Sequence, residues 1–275
     1  MKNRATSVAH YENFPVASVL LPAALRHPVS VIYRFARTAD DFADEGDLRP
    51  HERLARLERY RSELRRLEAS RSPESPLFRE LGEVVAAHRL PLAPFHDLLD
   101  AFSQDVVKQR YADFAELMDY CRRSADPVGR LMLHLYGESD ARNVACSDAI
   151  CSALQLVNFW QDVEIDFRKN RIYLPQDDMA RFGVTEDQIA ARDASGGWWD
   201  LMRFQIERAR SMMLGGAPLA IRLPGRVGLE IRAVVQGGLR VLEKLELQHG
   251  NVFGRRPVLH AWDWPLMLAR ALVMR

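Results

Sequence analysis

Gln155-Leu-Val-Asn158-Phe-Trp-Gln-Asp162-Val-Glu-Ile-Asp166 carries an amide and two carboxylates at i, i+4 and i+8. On an α-helix this spacing stacks Asn158, Asp162 and Asp166 along one face. Like charges so placed cost an isolated helix roughly 0.2–0.5 kcal/mol, so the pattern is not one that helix formation favours. Leu156, Val157, Phe159, Trp160 and Val163 fill much of the remaining surface, which rules out an ordinary solvated acidic face. A cation is the natural partner. Oxygen donors on a helix suit a hard ion such as Mg²⁺, which keeps several waters and completes its shell with substrate phosphates. For one such triplet alone, a polar stripe at a helix end is the commoner reading.

A second cluster lies far upstream, in Tyr33-Arg-Phe-Ala-Arg37-Thr-Ala-Asp40-Asp41-Phe-Ala-Asp44-Glu45. Tyr33, Arg37, Asp40 and Asp44 fall at i, i+4, i+7 and i+11, again one helical face, beside an apolar face of Phe35, Ala36, Ala39 and Ala43. Asp41 points about 100° away from Asp40 around such a helix. Arg37 has two readings, a surface pair with Asp40 or Asp41, or a group facing the same anion as the acids; its apolar neighbours favour the second. Two acidic faces are suited to flank one diphosphate.

Helix-period patterns recur almost everywhere and strand signals are nearly absent, so the fold class is all-α. Helices are expected near 28–45, 51–70, 77–89, 93–107, 114–136, 140–167, 198–222 and 226–248, with shorter ones near 16–25, 184–192 and 259–273. The Pro, Gly and Ser breakers between them are too short for a domain linker, and residues 1–275 read as a single domain. No repeat of tens of residues appears.

With 38 basic and 37 acidic residues the chain has a net charge of +1, which lacks the electrostatic excess of a nucleic-acid binder. Of its 275 residues, 48% are hydrophobic, enough for a sizeable core. Cys121, Cys146 and Cys151 have no zinc-ligand spacing and read as reduced core cysteines of a cytoplasmic protein. The apolar run from Pro15 to Leu25 is too short to span a membrane and does not read as a signal peptide or anchor. The C-terminal Trp264 to Arg275 is also too short; packing on the domain is its commoner use, with peripheral contact at the inner membrane surface as the alternative.

These residues resemble the squalene and phytoene synthases, enzymes that join or rearrange prenyl diphosphates head to head. The resemblance runs from His10-Tyr-Glu-Asn-Phe14 through the first acidic cluster, Tyr120-Cys-Arg-Arg-Ser-Ala-Asp-Pro-Val-Gly129 and the second cluster to Arg171-Ile-Tyr-Leu-Pro175. Within the family, His10 to Pro15 and Phe159-Trp-Gln-Asp162 look most like the bacterial hydroxysqualene-forming branch, because presqualene and phytoene synthases usually carry Arg where Gln161 stands. The resemblance implies a helical isoprenoid-synthase fold with a central cavity and Mg²⁺ held by the two acidic motifs. Asp40, Asp41, Asp44, Asn158, Asp162 and Asp166 are then metal ligands or their immediate neighbours. Tyr33 and Arg37 contact diphosphate oxygens, His10 and Asn13 close over them, Gln155 sits beside the same group, and Phe14 and Tyr173 belong to the substrate site. Tyr120 faces the reacting chain, and Gln161 is the residue that marks the branch and a candidate to hold a water.

Ionising an allylic or cyclopropylcarbinyl diphosphate separates charge, so the leaving group must meet preorganised cations: Mg²⁺, Arg37, Lys169 or Arg171. The carbocation needs walls that do not attack it. Phe14, Phe35, Phe159, Val128, Leu131 and Tyr120 are candidates, each with core packing as an equal alternative. Two positions depart from the family pattern. Gly237-Gly238 stands where a Tyr is common, and Asn251 where a basic residue is expected, so the basic contact moves to Arg255 or Arg256 or is absent. The expected substrate is presqualene diphosphate or another prenyl diphosphate, with partner enzymes that supply it and reduce the product. A condensing head-to-head prenyltransferase is the alternative activity. A non-catalytic assembly factor on the same fold is disfavoured, because both acidic motifs are intact.

Overall fold

The computed structural model describes residues 21–274, and His10, Asn13, Phe14 and the first half of the expected 16–25 helix lie outside the described residues. The helical periodicity is realised as α1 (Ala23–Asp44), α2 (Pro50–Glu68), α3 (Pro76–His88), α4 (Ala93–Val107), α5 (Phe114–Ser124), α6 (Asp126–Tyr136) and α7 (Ala141–Arg168). It continues as α8 (Gln176–Phe182), α9 (Glu186–Ala190), α10 (Trp198–Gly216), α11 (Leu219–Arg222), α12 (Gly225–Leu247) and α13 (Trp264–Val273). Among the described residues there is no strand; the nearest approach is a single parallel bridge between Arg110 and Ile172. The fold is all-α. Also among the described residues, no helix is long and apolar enough to cross a membrane.

Proline accounts for most departures from the expected boundaries. The 114–136 segment is two helices, because Pro127 has no N–H for the helical ladder and the chain turns at Ala125. The 198–222 segment likewise divides at Ala217-Pro218 into α10 and α11. Pro28 has the opposite outcome: α1 starts earlier than expected and carries this proline inside it. The short α8, unforeseen, follows Pro175 and has Asp177 and Asp178 in its first turn, where acids meet the helix dipole favourably.

Two apolar clusters frame the molecule's centre. In one, Phe35 of α1 is fully buried, with its ring 5.1 Å from Phe95 and 5.7 Å from Phe78 and Tyr60. The other is built on α5, α7, α10 and α12, where Trp160 and Trp198 are fully buried and the Trp198 indole donates to the Gly250 carbonyl at 2.9 Å. Close packing against α7 depends on glycine: a Cβ on Gly129 would lie 2.3 Å from Ser147 Oγ and 2.6 Å from Cys151 Sγ. Gly238 of α12 is packed in the same way, 2.5 Å from Met213 Cε and 3.1 Å from Leu154 Cδ2 for an added Cβ. A larger residue there would require the Met213 and Leu154 side chains to shift.

Asp263 fastens the end of the chain to α12. Its carboxylate is buried and accepts from Arg240 at 2.8 Å, from Lys244, and from the His260 backbone N–H at 2.7 Å. Burial alone would raise its pKa, but the hydrogen bonds from Lys244, His260 and Arg240 win and hold it down at about 2. A depressed carboxylate contributes stability above its unfolded pKa and loses it as pH falls through the folded one. Asp263→Asn is therefore expected to lower unfolding free energy at neutral pH by roughly 2–3 kcal/mol, the scale of charge-assisted hydrogen bonds to one buried group. In denaturant melts the gap between variant and parent should close as pH falls from 3.8 to about 2; a gap that persists unchanged would refute the assignment.

Candidate active site

α7 is buried around most of its circumference, through Ile150, Ala153, Leu156, Val157, Phe159, Trp160 and Val163, so its acidic face cannot turn freely toward solvent. α1 is fixed in the same way by Val31, Ile32, Phe35, Ala39 and Ala43. The faces left over meet across one cavity of about 240 Å³. Asp40 and Asp44 line it from α1, Gln155, Asn158, Asp162 and Asp166 from α7. Arg171 and Tyr173 follow α7, and Asp105, Tyr120 and Phe159 complete the lining.

Protein cations hold part of this acid. Asp44 accepts from Lys169 Nζ at 2.8 Å and from Arg171. Asp162 is gripped by both guanidinium arms of Arg256, with Nη2 at 2.9 Å from Oδ2. The consequences differ between the carboxylates. Burial acts against the Asp44 anion, but Arg171 and Lys169 outweigh it and hold the group below the usual range. Asp40 is pushed up to about 6 by burial and then by Asp44. Asp166 is pushed up to about 8 by burial and then by Asp162. Burial beside another acid thus pushes both Asp40 and Asp166 toward the protonated form.

Beneath the acids lies an aromatic floor. Phe159 and Tyr173 stack with centroids 3.8 Å apart at 10°, and Tyr120 leans on both at 6.0 and 5.9 Å. Asp105, near the end of α4, accepts from Tyr120 Oη at 2.6 Å and from Tyr173 Oη at 3.1 Å. The loop after α4 is tied to the segment after α7 by Ile172 N–H to Gln109 O at 2.9 Å and Gln176 N–H to Tyr111 O at 2.9 Å. Arg171 adds a bond to the Asp105 backbone carbonyl at 3.1 Å. Asp105 was absent from the sequence expectations. Its signal is a carboxylate on the buried stripe of α4, in line with Leu98 and Phe102.

Several expected residues lie elsewhere. Arg37, expected to face the diphosphate, is exposed and folds back on its own helix, 2.8 Å from Asp41 and 3.4 Å from Asp40. Its i, i+3 and i+4 neighbours are acidic, and that local pairing prevails. Asp41 is accordingly turned toward Arg37 and is not part of the cavity lining, nor is the half-buried Tyr33. Phe35 and Leu131 are core, and Val128 is exposed. Gln161 is buried and does not line the cavity; its amide donates to the Pro257 carbonyl. Lying about 100° from Asp162 around the helix, it points away from the acidic face. Gln161 and Asp162 thus grip two consecutive residues, Pro257 and Arg256. Asn251, at the position where a basic residue was expected, caps the Phe253 N–H at 3.1 Å, and Arg256, one of the alternative positions for that residue, pairs with Asp162.

The site is thus an all-helical body with two acidic helices facing one cavity over an aromatic floor. The profile of the squalene/phytoene synthase family matches residues 8–263. The hydroxysqualene synthase of Zymomonas mobilis is 43% identical over 230 residues, covering 82% of this chain and 75% of that protein. A phytoene synthase of Mycobacterium tuberculosis is 33% identical over 263 residues, 94% of this chain and 86% of that one. The crystal structure of the squalene synthase HpnC from Alicyclobacillus acidocaldarius superposes with a TM-score of 0.80 at 38% identity, over 87% of this chain and 90% of the other. The chain belongs to the squalene/phytoene synthase family.

The Gln161 geometry has a direct consequence for stability. Gln161→Leu leaves the buried Pro257 carbonyl without this donor, and the expected cost is about 1–3 kcal/mol in unfolding free energy. Chemical denaturation reads it. A variant as stable as the parent would contradict this structural role for Gln161.

Proposed function

We propose that this enzyme is a Mg²⁺-dependent hydroxysqualene synthase that ionises presqualene diphosphate and lets water capture the rearranged cation. The observation that carries the reading is the convergence of Asp40, Asp44, Asn158, Asp162 and Asp166 on one cavity whose opposite wall is aromatic. Among the described residues no three acids, histidines or cysteines gather closely enough to cage an ion by themselves. That fits Mg²⁺, which is bound through one or two carboxylates plus substrate phosphates more often than in an all-protein cage. The donors are hard oxygens, and a cation beside Asp166 would offset the burial and the Asp162 repulsion that push its carboxyl up. Asp40 and Asp44 on one side and Asn158, Asp162 and Asp166 on the other would hold it. Bound there, Mg²⁺ supplies the Lewis-acid charge that a departing diphosphate needs.

The remaining work belongs to the chain's own side chains. Lys169, Arg171 and Arg256 are already paired with Asp44 and Asp162, so metal bound at those acids would free their N–H groups for an entering diphosphate. The ring faces of Phe159, Tyr120 and Tyr173 stabilise the cation left behind and offer it no strong nucleophile. Choice of the water-capturing reaction over condensation is supported by the higher identity to a hydroxysqualene synthase than to a phytoene synthase, 43% against 33%. The same reading makes residues 1–275 one domain working in the cytoplasm, with enzymes before and after it that make its substrate and reduce its product. Exposed Trp262, just ahead of α13, and exposed Leu272 and Val273 at its end support contact of this C-terminal segment with the inner membrane surface, from which an apolar substrate would be drawn.

Incubation with presqualene diphosphate as sole substrate in ¹⁸O-water tests the proposal. Labelled hydroxysqualene should form without a nicotinamide reductant and should cease in excess chelator. Unlabelled product, or product formed only from farnesyl diphosphate, would move the enzyme to the condensing branch.

A further inference from the structure

Among the acids that line the cavity, Asp105 is the one hydrogen-bonded to its aromatic side. It is buried, and each of its oxygens takes one tyrosine hydroxyl: Oδ2 from Tyr120 at 2.6 Å and Oδ1 from Tyr173 at 3.1 Å. A phenol has a single proton. With that proton committed to Asp105, both hydroxyls can present only lone pairs to anything else in the cavity. A water bound against them must donate its hydrogen and direct its own lone pair elsewhere. Phe159, stacked on Tyr173, faces the same space.

We infer that Asp105 acts through Tyr120 and Tyr173 as the proton acceptor for the water that captures the carbocation, and so directs the reaction to an alcohol. This rests on the hydroxysqualene reading above. The step balances without a further reactant. A water lone pair forms the C–O bond to the cationic carbon, and one O–H bond of that water breaks. Its proton passes to a tyrosine oxygen as that tyrosine's own proton passes to Asp105. The products are a neutral alcohol and a neutral carboxylic acid, and Asp105 later returns the proton to solvent or to the released diphosphate.

The surroundings suit a group that alternates between these two forms. Tyr111 lies beside it from the loop after α4, its hydroxyl accepting from Gln104 at 3.2 Å. Arg171 donates to the Asp105 backbone carbonyl, and Asp44 faces it from α1. Arg61 of α2 pairs with Asp100 on an earlier turn of α4, and Arg130 of α6 is taken by Asp148 of α7. Burial is the largest influence on Asp105 and pushes it up to about 7, against the two hydroxyl bonds and Arg171. It is thus poised to take a proton near neutrality and is already protonated in acid.

The test measures two products of each turnover, diphosphate released and alcohol formed, from presqualene diphosphate between about pH 5.5 and 8.5. In the parent enzyme the ratio of alcohol to diphosphate should fall as pH drops below about 7, with unhydroxylated hydrocarbon making up the difference. In Asp105→Asn the ratio should fall on the order of a hundredfold, the lower range for a general base, and should lose its pH dependence. Tyr120→Phe combined with Tyr173→Phe, which removes both relays and keeps the rings, should behave alike. A flat parent profile overturns the inference whether or not the variants fold, and so does a variant with the parent ratio and profile. A parent enzyme that forms no alcohol at any pH overturns the hydroxysqualene reading itself, which separates the two failures.

Discussion

Gathering carboxylates on a buried surface is the constraint on which this molecule is built. Each acid loses hydration and repels its neighbour, and Asp166, raised to about 8 by burial and Asp162, shows the cost most plainly. The fold offsets part of it with cations from distant segments. Lys169 and Arg171 come from just past α7 to meet Asp44 of α1, and Arg256 comes from the far end of the chain to meet Asp162. The Asp44 pairs also tie α1 to the segment after α7, so the electrostatics of the site and the closure of the fold share the same contacts.

The two walls of the cavity have opposite character, and each is held by different means. The acidic wall is set by helices whose apolar faces are locked in the two cores, leaving the acids one direction to point. The aromatic wall is set by hydrogen bonds at its base, where the short pairing of residues 109–112 with residues 172–177 brings Tyr111 and Tyr173 onto the end of α4. A leaving anion and a nascent cation need such opposed surfaces side by side, with dry rings on one and oriented charge on the other.

Periodicity made much of this legible from residues alone. Asp40, Asp44, Asn158, Asp162 and Asp166 were visible because helical spacing places them on one face, and the structure sets those faces against each other. Arg37 misled for a local reason: helical spacing puts it over its own acids as surely as over a shared site, and pattern cannot choose between the two. Gln161 misled for a geometric one, since its partner is a backbone carbonyl brought in from beyond α12. Asp105 was invisible because its partners, Tyr120 and Tyr173, come from two other elements and share no spacing with it. Pro127 and Pro218 broke helices that apolar periodicity ran together.

The most direct test of the account is a crystal structure of the enzyme soaked with Mn²⁺ and inorganic diphosphate, read by anomalous scattering. The account predicts metal peaks between the α1 and α7 faces, with oxygens of Asp40 or Asp44 on one side, of Asn158, Asp162 or Asp166 on the other, and the diphosphate against Lys169, Arg171 and Arg256. Peaks confined to one helix, or an Asp162 still gripped by Arg256 with no metal beside it, would contradict it.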